Sequence, residues 1–185
     1  MGIMVAMDSQ EPKDIAKQLL AGTEPPELGS GPRKGVLPLR EVDKLIKSTL
    51  AERKLPPASL ELARSLVLLW HDHLDASHTI SQGIENADGN FVHAIMHRRE
   101  PDFWNSKYWW RRVGAHPAFP EIASRVGALL KDRGAGELAK KLLPGGKWDA
   151  CAFVDLCEAG KQVDLLREIQ RIEFEVLLER FIAAP

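Results

Sequence analysis

Apolar residues recur at every third or fourth position along most of this chain, and prolines and glycines interrupt the recurrence at intervals. In the range 39–54, for example, Val42, Ile46 and Leu50 follow one another at four-residue spacing. Such spacing places apolar side chains on one face of an α-helix, and the alternating pattern of a strand is absent. We therefore predict an all-α fold, a single-domain helical bundle of about seven to nine helices in an irregular array.

The limits of the predicted helices follow from their breaking residues. A Pro-Pro pair ends the first helix of the domain, a loop with the sequence NADGN breaks the pattern later, and Gly160 separates the last two helices. The region 58–82, with Pro57 at its start, is predicted to form one long helix. The predicted ranges are 39–54, 58–82, 91–100, 103–113, 121–132, 137–143, 148–158 and 161–182.

The first 37 residues differ from the rest in composition. The range 22–34, with the sequence GTEPPELGSGPRK, is rich in glycine, proline and charge, and only the range 14–20 has a helical pattern before it. A segment of this kind buries too little apolar surface to fold by itself. We predict a flexible N-terminal arm over residues 1–37 and a helical domain over residues 38–185.

Charge and cysteine content restrict the partners of the chain. The formal net charge is −1, which disfavours nucleic acid and anionic membranes as general partners. No apolar run approaches the ~20 residues that a membrane span needs. Cys151 and Cys157 lack the CxxC spacing of a zinc or redox site, and they imply no disulfide framework. These features are typical of a cytoplasmic protein.

All six histidines fall within the 46 residues 71–116. On a continuous helix over the range 58–82, His71, Asp75, His78 and Gln82 would form one narrow stripe. His73 would point instead into the apolar face, as a buried histidine with a hydrogen-bond partner. A stripe of this composition is suited to binding a metal or to acid–base chemistry, although the solvated side of an amphipathic helix has the same pattern.

A second stripe lies on the next predicted helix, where His93, His97 and Glu100 are spaced at i, i+4 and i+7. The connection between the two helices is short, so we expect them to be antiparallel neighbours whose stripes meet. Metal sites in helical bundles are built from such facing side chains. We predict that His78, His93 and His97 bind a divalent metal, and that His93, His97 and Glu100 carry any catalytic acid–base chemistry.

The range 97–116 combines arginines with tryptophan, tyrosine and phenylalanine. On the predicted helix 103–113, Asn105, Tyr108 and Arg112 share a face that Trp109 flanks, and this face is suited to a carboxylate, a phosphate or a sugar. Tryptophans at positions 104, 109 and 110 can equally be core or interface anchors. The predicted ligand-binding residues are Arg98, Arg99, Asn105, Tyr108, Trp109, Arg112 and His116.

A longer segment, which begins with the first histidine stripe and includes the range 97–116, resembles a family of small, uncharacterised helical proteins. The resemblance covers about a quarter of the chain, from the HDHLDASHTISQ sequence to the AHPAF sequence. It implies a helical fold with a polar and aromatic site, and it implies no particular activity. The residues that carry it are His78, Gln82, Asp88-Gly89, His93, His97-Arg98-Arg99-Glu100, Asp102, Asn105, Tyr108-Trp109, Arg112 and Gly114 to Pro117.

Two functions of different kinds are consistent with these features. One is a protein with a pocket of histidine, arginine and aromatic side chains that binds or acts on a small anionic or sugar-like ligand, with help from a metal. The alternative is a non-enzymatic helical protein–protein interaction module with tryptophan anchors. Exposure of Trp109 and Trp110 would favour the module, whereas burial of His93 and His97 against His78 would favour the pocket. The oligomeric state stays open at this point.

Overall fold

The computed structural model describes residues 11–21 and 24–183, and all regular structure in these ranges is helical. The prediction of an all-α single-domain fold is confirmed, and the ten α-helices in the described ranges slightly exceed the predicted number. A short 3-10 helix, Pro144–Gly146, precedes the last two helices. The α-helices are α1 Pro12–Leu19, α2 Leu39–Thr49, α3 Pro57–Trp70, α4 Leu74–Ser81, α5 Ala87–Arg99, α6 Phe103–Val113, α7 Phe119–Asp132, α8 Gly136–Leu142, α9 Ala150–Ala159 and α10 Val163–Ala183.

Two helices lie at the centre of the packing. The C-terminal helix α10 contacts α1, α3, α7 and α9, and α5 contacts α3, α4 and α6. Every residue in the range 91–99 of α5 is buried. Helix α5 therefore has no solvated stripe, because neighbouring helices cover it on all sides, and its histidines and arginines lie inside the protein.

The predicted long helix over residues 58–82 is wrong, because the chain breaks between α3 and α4. Asp72 has a φ of 61°, outside the helical region, and its carboxylate accepts hydrogen bonds from Arg33 Nε at 2.9 Å and from Arg99 Nη2 at 2.6 Å. These two cations stabilise the break, which gives α4 a direction of its own. His71 and His78 therefore do not share a stripe. His71 is buried near the carbonyl oxygen of Leu19.

His73 begins α4, and its ring does not enter the apolar core. The ring is half-buried, and its Nε2 atom lies 2.9 Å from the carbonyl oxygen of Leu37. The expected hydrogen-bond partner is therefore present, although the ring lies at the edge of the fold. Asp75 and Gln82, the other members of the expected stripe, are exposed.

A close approach between α4 and α5 brings their side chains within reach of each other. Helix α5 begins earlier than predicted because the side chain of Asn86 accepts a hydrogen bond from the backbone N–H of Gly89 at 2.8 Å. A Cβ atom at Gly89 would overlap the carbonyl oxygen of Ile84 and lie 2.8 Å from its Cβ. Only glycine permits this tight connection.

Part of the predicted N-terminal arm packs on the domain. The predicted boundary at residue 37 therefore does not separate a free arm from the core. Ile15 and Leu19 of α1 are buried in the same core as the other helices. The proline- and glycine-rich segment that follows is held through its backbone, because Arg99 donates to the carbonyl oxygens of Glu27 and Gly29. Buried side-chain donors thus provide hydrogen-bond partners for the backbone of this segment, which has few apolar side chains of its own. Residues 1–10 and 22–23 of the predicted arm lie outside the described residues.

Two smaller expectations concern the cysteines and the membrane. Cys151 and Cys157 are free thiols, half-buried and buried respectively. None of the helices in the described ranges is both long enough and apolar enough to cross a bilayer.

Candidate metal and ligand site

Three histidines from two helices converge at one point, which confirms the predicted histidine cluster. His93 and His97 lie one turn apart on α5, and His78 comes from α4. One ring nitrogen from each of the three lies within 4.8 Å of the other two. The Nε2 atoms of His93 and His97 are 3.0 Å apart. The ring of His78 lies 4.8 Å from that of His93 and 5.2 Å from that of His97, measured between centroids.

Glu100 and Asn105 complete the polar surroundings of His97. The carboxylate of Glu100 lies 3.0 Å from His97 Nδ1, and the amide nitrogen of Asn105 lies 3.1 Å from His97 Nε2. A carboxylate at Nδ1 favours the tautomer with its proton on that atom, which leaves the lone pair of Nε2 directed at the cluster. Asp102 fixes the start of α6 by accepting from the backbone N–H of Asn105 at 3.2 Å.

Trp109 covers the side of the cluster where His93 lies. The ring of Trp109 lies 4.1 Å from that of His93, and the guanidinium of Arg112 lies 5.4 Å from the Trp109 ring. The Nδ1 atom of His93 is buried without a hydrogen-bond partner in the part of the chain that the structure describes. Packing against Trp109, rather than a second hydrogen bond, therefore orients this ring.

Burial keeps two of the three imidazoles neutral. The pKa of His93 is lowered to about 3, first because burial disfavours the charged ring and then because His97 and His78 lie beside it. The pKa of His97 is also lowered, mainly by burial, although the carboxylate of Glu100 acts in the opposite direction. At neutral pH both rings thus offer a lone pair, as a metal ligand must.

Arg98 and Arg99 were predicted to bind an anion, but the structure places both in the interior. The side chain of Arg98 is fully buried and donates to Glu173 Oε2 at 2.6 Å. Arg99 is buried at the α3–α4 break, where it pairs with Asp72. Successive residues of a helix turn by about 100°, so positions directly after His97 face other neighbours of α5. Neither cation reaches the histidine cluster.

His116 is a third predicted ligand-binding residue with a different role. Its Nε2 atom lies 2.9 Å from Asp88 Oδ1, and its Nδ1 atom accepts from the backbone N–H of Ala118 at 3.2 Å. Its ring packs on Phe91, 4.9 Å away between centroids. His116 therefore fixes the connection between α6 and α7 against the first turns of α5, and it does not join the cluster.

The other predicted residues lie around the cluster on α6. Asn105, Tyr108, Trp109 and Arg112 are on its outer side, where Tyr108 and Arg112 are exposed. Trp110 is buried, Trp109 is half-buried, and both His93 and His97 are buried, an arrangement that favours a pocket over an interface. Trp104, which the sequence predicts as a core or interface anchor, is exposed. Its spacing of four residues from Tyr108 is the sequence signal for the same outer face of α6.

A groove of about 830 Å³ lies elsewhere, between α1, α7 and α10. Two of its cations are paired, since Arg125 contacts Glu179 at 2.6 Å and Arg180 contacts Asp88 at 3.3 Å, and its third cation, Lys13, is exposed. Within the described residues, the only three-residue group suited to a metal lies outside this groove, at His78, His93 and His97, so the histidine cluster is the better candidate for function.

Comparisons of the chain with protein-family models, with curated proteins and with solved structures give no match. The functional argument therefore depends on the geometry of the histidine cluster and of α6.

Proposed function

We propose that this protein binds a divalent transition metal through His78, His93 and His97 and holds a small anionic ligand at the remaining coordination position. One observation carries the proposal: three imidazoles from two helices present ring nitrogens within 4.8 Å of one another. Imidazole is the ligand that zinc, copper, iron and nickel share, and three histidines with an open fourth position are typical of catalytic rather than structural zinc.

The spacing of the His93 and His97 nitrogens is close to that of two ligands of one ion. A tetrahedral centre with metal–nitrogen bonds of about 2.0–2.1 Å places its ligand atoms about 3.3 Å apart. The 3.0 Å separation of the His93 and His97 Nε2 atoms is close to that value. A single hydrogen bond between two neutral rings would account for this pair alone, but it would leave the third ring at the same point unexplained.

The surroundings of the ligands also fit a metal. A histidine that binds metal usually donates its other ring nitrogen to a carboxylate, and Glu100 provides one for His97 at 3.0 Å. A bound metal supplies a Lewis acid and a water of lowered pKa. Asn105 and Arg112 are the donors that would orient an anion there. Hydrolysis of a small anionic substrate is the reaction that this set supports best.

The setting of the proposed activity follows from the cysteines. Two free thiols suit a reducing compartment, so we place the protein in the cytoplasm. Its proposed partner is a small molecule, because the near-neutral net charge of −1 offers no general attraction to nucleic acid.

Zinc binding to untagged, chelator-treated protein tests the proposal by isothermal titration calorimetry. We expect stoichiometric binding, and we expect each of His78→Gln, His93→Gln and His97→Gln to weaken it by at least about tenfold, because each removes one of three ligands. His73→Gln is the matched control, since His73 directly precedes α4, the helix of His78, and lies outside the cluster. Binding that is absent, or that falls equally in the control, would overturn the metal site.

A further inference from the structure

Helix α6 exposes two aromatic rings next to the histidine cluster. Trp104 is 74% exposed and Tyr108 is 38% exposed, and no other aromatic side chain of the described residues is exposed. Their rings lie 12° from parallel with centroids 6.2 Å apart. A folded protein usually buries the apolar surface of an indole. A tryptophan that is exposed to this extent therefore leaves a surface available for contact.

A cation lies at the end of this pair. Arg112 is one further turn along the same face, with its guanidinium 5.8 Å from the Tyr108 ring. Within the described residues it makes cation–π contacts and no ion pair, whereas Arg125 and Arg133 each pair with a glutamate. We call Trp104, Tyr108 and Arg112 the aromatic strip.

The aromatic strip is continuous with the histidine cluster. The Tyr108 ring meets the edge of Trp109 at 5.3 Å, and Trp109 in turn packs on His93 at 4.1 Å. A molecule bound along the strip would therefore lie next to the candidate metal centre. The charges of the two places suit the same ligand, because a guanidinium at the strip and a divalent cation at the cluster both attract an anion.

We propose that the aromatic strip binds the ligand of the histidine cluster, and that this ligand is an anion that carries a flat ring. The inference rests on the proposed function and adds the class of molecule. A ring with an apolar face stacks on indole and phenol, and a carboxylate or phosphate pairs with a guanidinium. Residues four apart on a helix are separated by about 6 Å, so a ring on Trp104 and Tyr108 places an attached anionic group near Arg112.

The size of the exposed surface favours a small molecule over a protein partner. A stable protein interface needs about 800 Å² on each side, with a cluster of anchors at its centre. Two exposed rings and one arginine on a single helix face do not provide this area. They do match the dimensions of one ring with one acidic group.

Two phosphonates that differ only in a ring test the inference. Methylphosphonate and phenylphosphonate are titrated into zinc-loaded protein, and we expect phenylphosphonate to bind about fivefold more tightly, the gain typical of one aromatic contact. In Trp104→Ala this advantage should disappear, because the stacking surface is gone. In Arg112→Ala both compounds should bind about five- to tenfold more weakly, because both lose the same ionic contact.

Leu60→Ala is the matched control, because Leu60 is an exposed apolar residue of α3 that lies outside the strip. Glucose 6-phosphate forms a further arm, since binding that is tighter than that of phenylphosphonate and is lost in Trp104→Ala would overturn the flat ring and identify a sugar ring instead. A ring advantage that survives in Trp104→Ala, affinities unchanged in Arg112→Ala, or no binding of any phosphonate would overturn the inference.

The same titrations with zinc-free protein separate this inference from the proposed metal site. The protein could bind no zinc and still bind phenylphosphonate more tightly than methylphosphonate through Trp104. This result supports the aromatic strip and overturns the metal. Stoichiometric zinc binding without any ring advantage supports the metal and overturns the aromatic strip.

Discussion

His93 is a side chain whose protonation the fold changes strongly. Its ring is almost fully buried between His97, His78 and Trp109, and its pKa is lowered to about 3. In the unfolded chain the same imidazole titrates near its ordinary value of about 6.5. The folded protein therefore excludes a proton that the unfolded protein accepts over the intervening range of pH.

This difference makes stability depend on pH. Because the folded pKa lies below the unfolded pKa, the contribution of neutral His93 is complete above about pH 6.5 and declines as the pH falls toward 3. By pH 5 the loss from this residue amounts to about 2 kcal/mol in the free energy of unfolding. Urea unfolding of metal-free protein at pH 7 and pH 5 measures it, and His93→Gln should lose about 2 kcal/mol less than the wild type. Equal losses in both proteins would contradict the burial of a neutral ring.

The break between α3 and α4 determines where α4 presents His78. No glycine or proline marks the break, since Asp72 occupies a conformation with a φ of 61° that residues other than glycine rarely adopt. Its carboxylate is fully buried between Arg33 and Arg99. The ion pairs thus hold a backbone conformation that the local sequence does not favour.

Two substitutions at this position separate the ion pairs from the backbone. Asp72→Ala should lower the free energy of unfolding by about 3–5 kcal/mol, because it leaves Arg33 and Arg99 without their buried partner. Asp72→Gly loses the same partner but adopts a positive φ freely, so it should be about 1 kcal/mol more stable than Asp72→Ala. Chemical unfolding of both variants checks this order. Equal stability would mean that the break stores no backbone strain.

The helices themselves were largely predictable, and the break shows where prediction stops. Helix α6 begins and ends as predicted, at Phe103 and Val113, because an aspartate cap and a glycine flank it. The break at Asp72 depends on cations 39 and 27 residues away in the chain, which no local pattern reveals. The pairing of His93 with His97 followed from their spacing alone. The interior position of Arg98 and Arg99 did not, because a buried arginine and a solvated one look alike in sequence.

The N-terminal segment is part of the fold although its composition suggests an arm. Ile15, Leu19 and Leu20 are buried, and α1 packs against α10 at the other end of the chain. Carbonyl oxygens in the range 25–29 accept from Arg99, Arg167 and Gln170. Composition measures what a segment can bury by itself, and it gives no account of donors that distant helices supply.

Removal of this segment therefore has a cost. Deleting residues 1–35 should lower the thermal midpoint by at least about 10 °C, because several buried aliphatic side chains at about 1.5–3 kcal/mol each are lost and Arg99 loses its acceptors. Leu19→Ala should reproduce part of the drop, whereas Leu39→Ala, at an exposed position, should not. Differential scanning calorimetry measures all three. A midpoint within about 5 °C of the wild type would restore the independent arm.

The same contacts fix an order of events during synthesis. Gln170 donates to the carbonyl oxygen of Pro26 across 144 residues, and Arg99 donates to that of Glu27 across 72. The segment before α2 must wait for partners that are translated many residues later. Until α10 emerges, the apolar face of α1 lacks its counterpart and Arg98 lacks its buried partner, Glu173. Nascent chains of this protein are therefore expected to need protection from aggregation until α10 has been translated, since folding cannot be completed helix by helix.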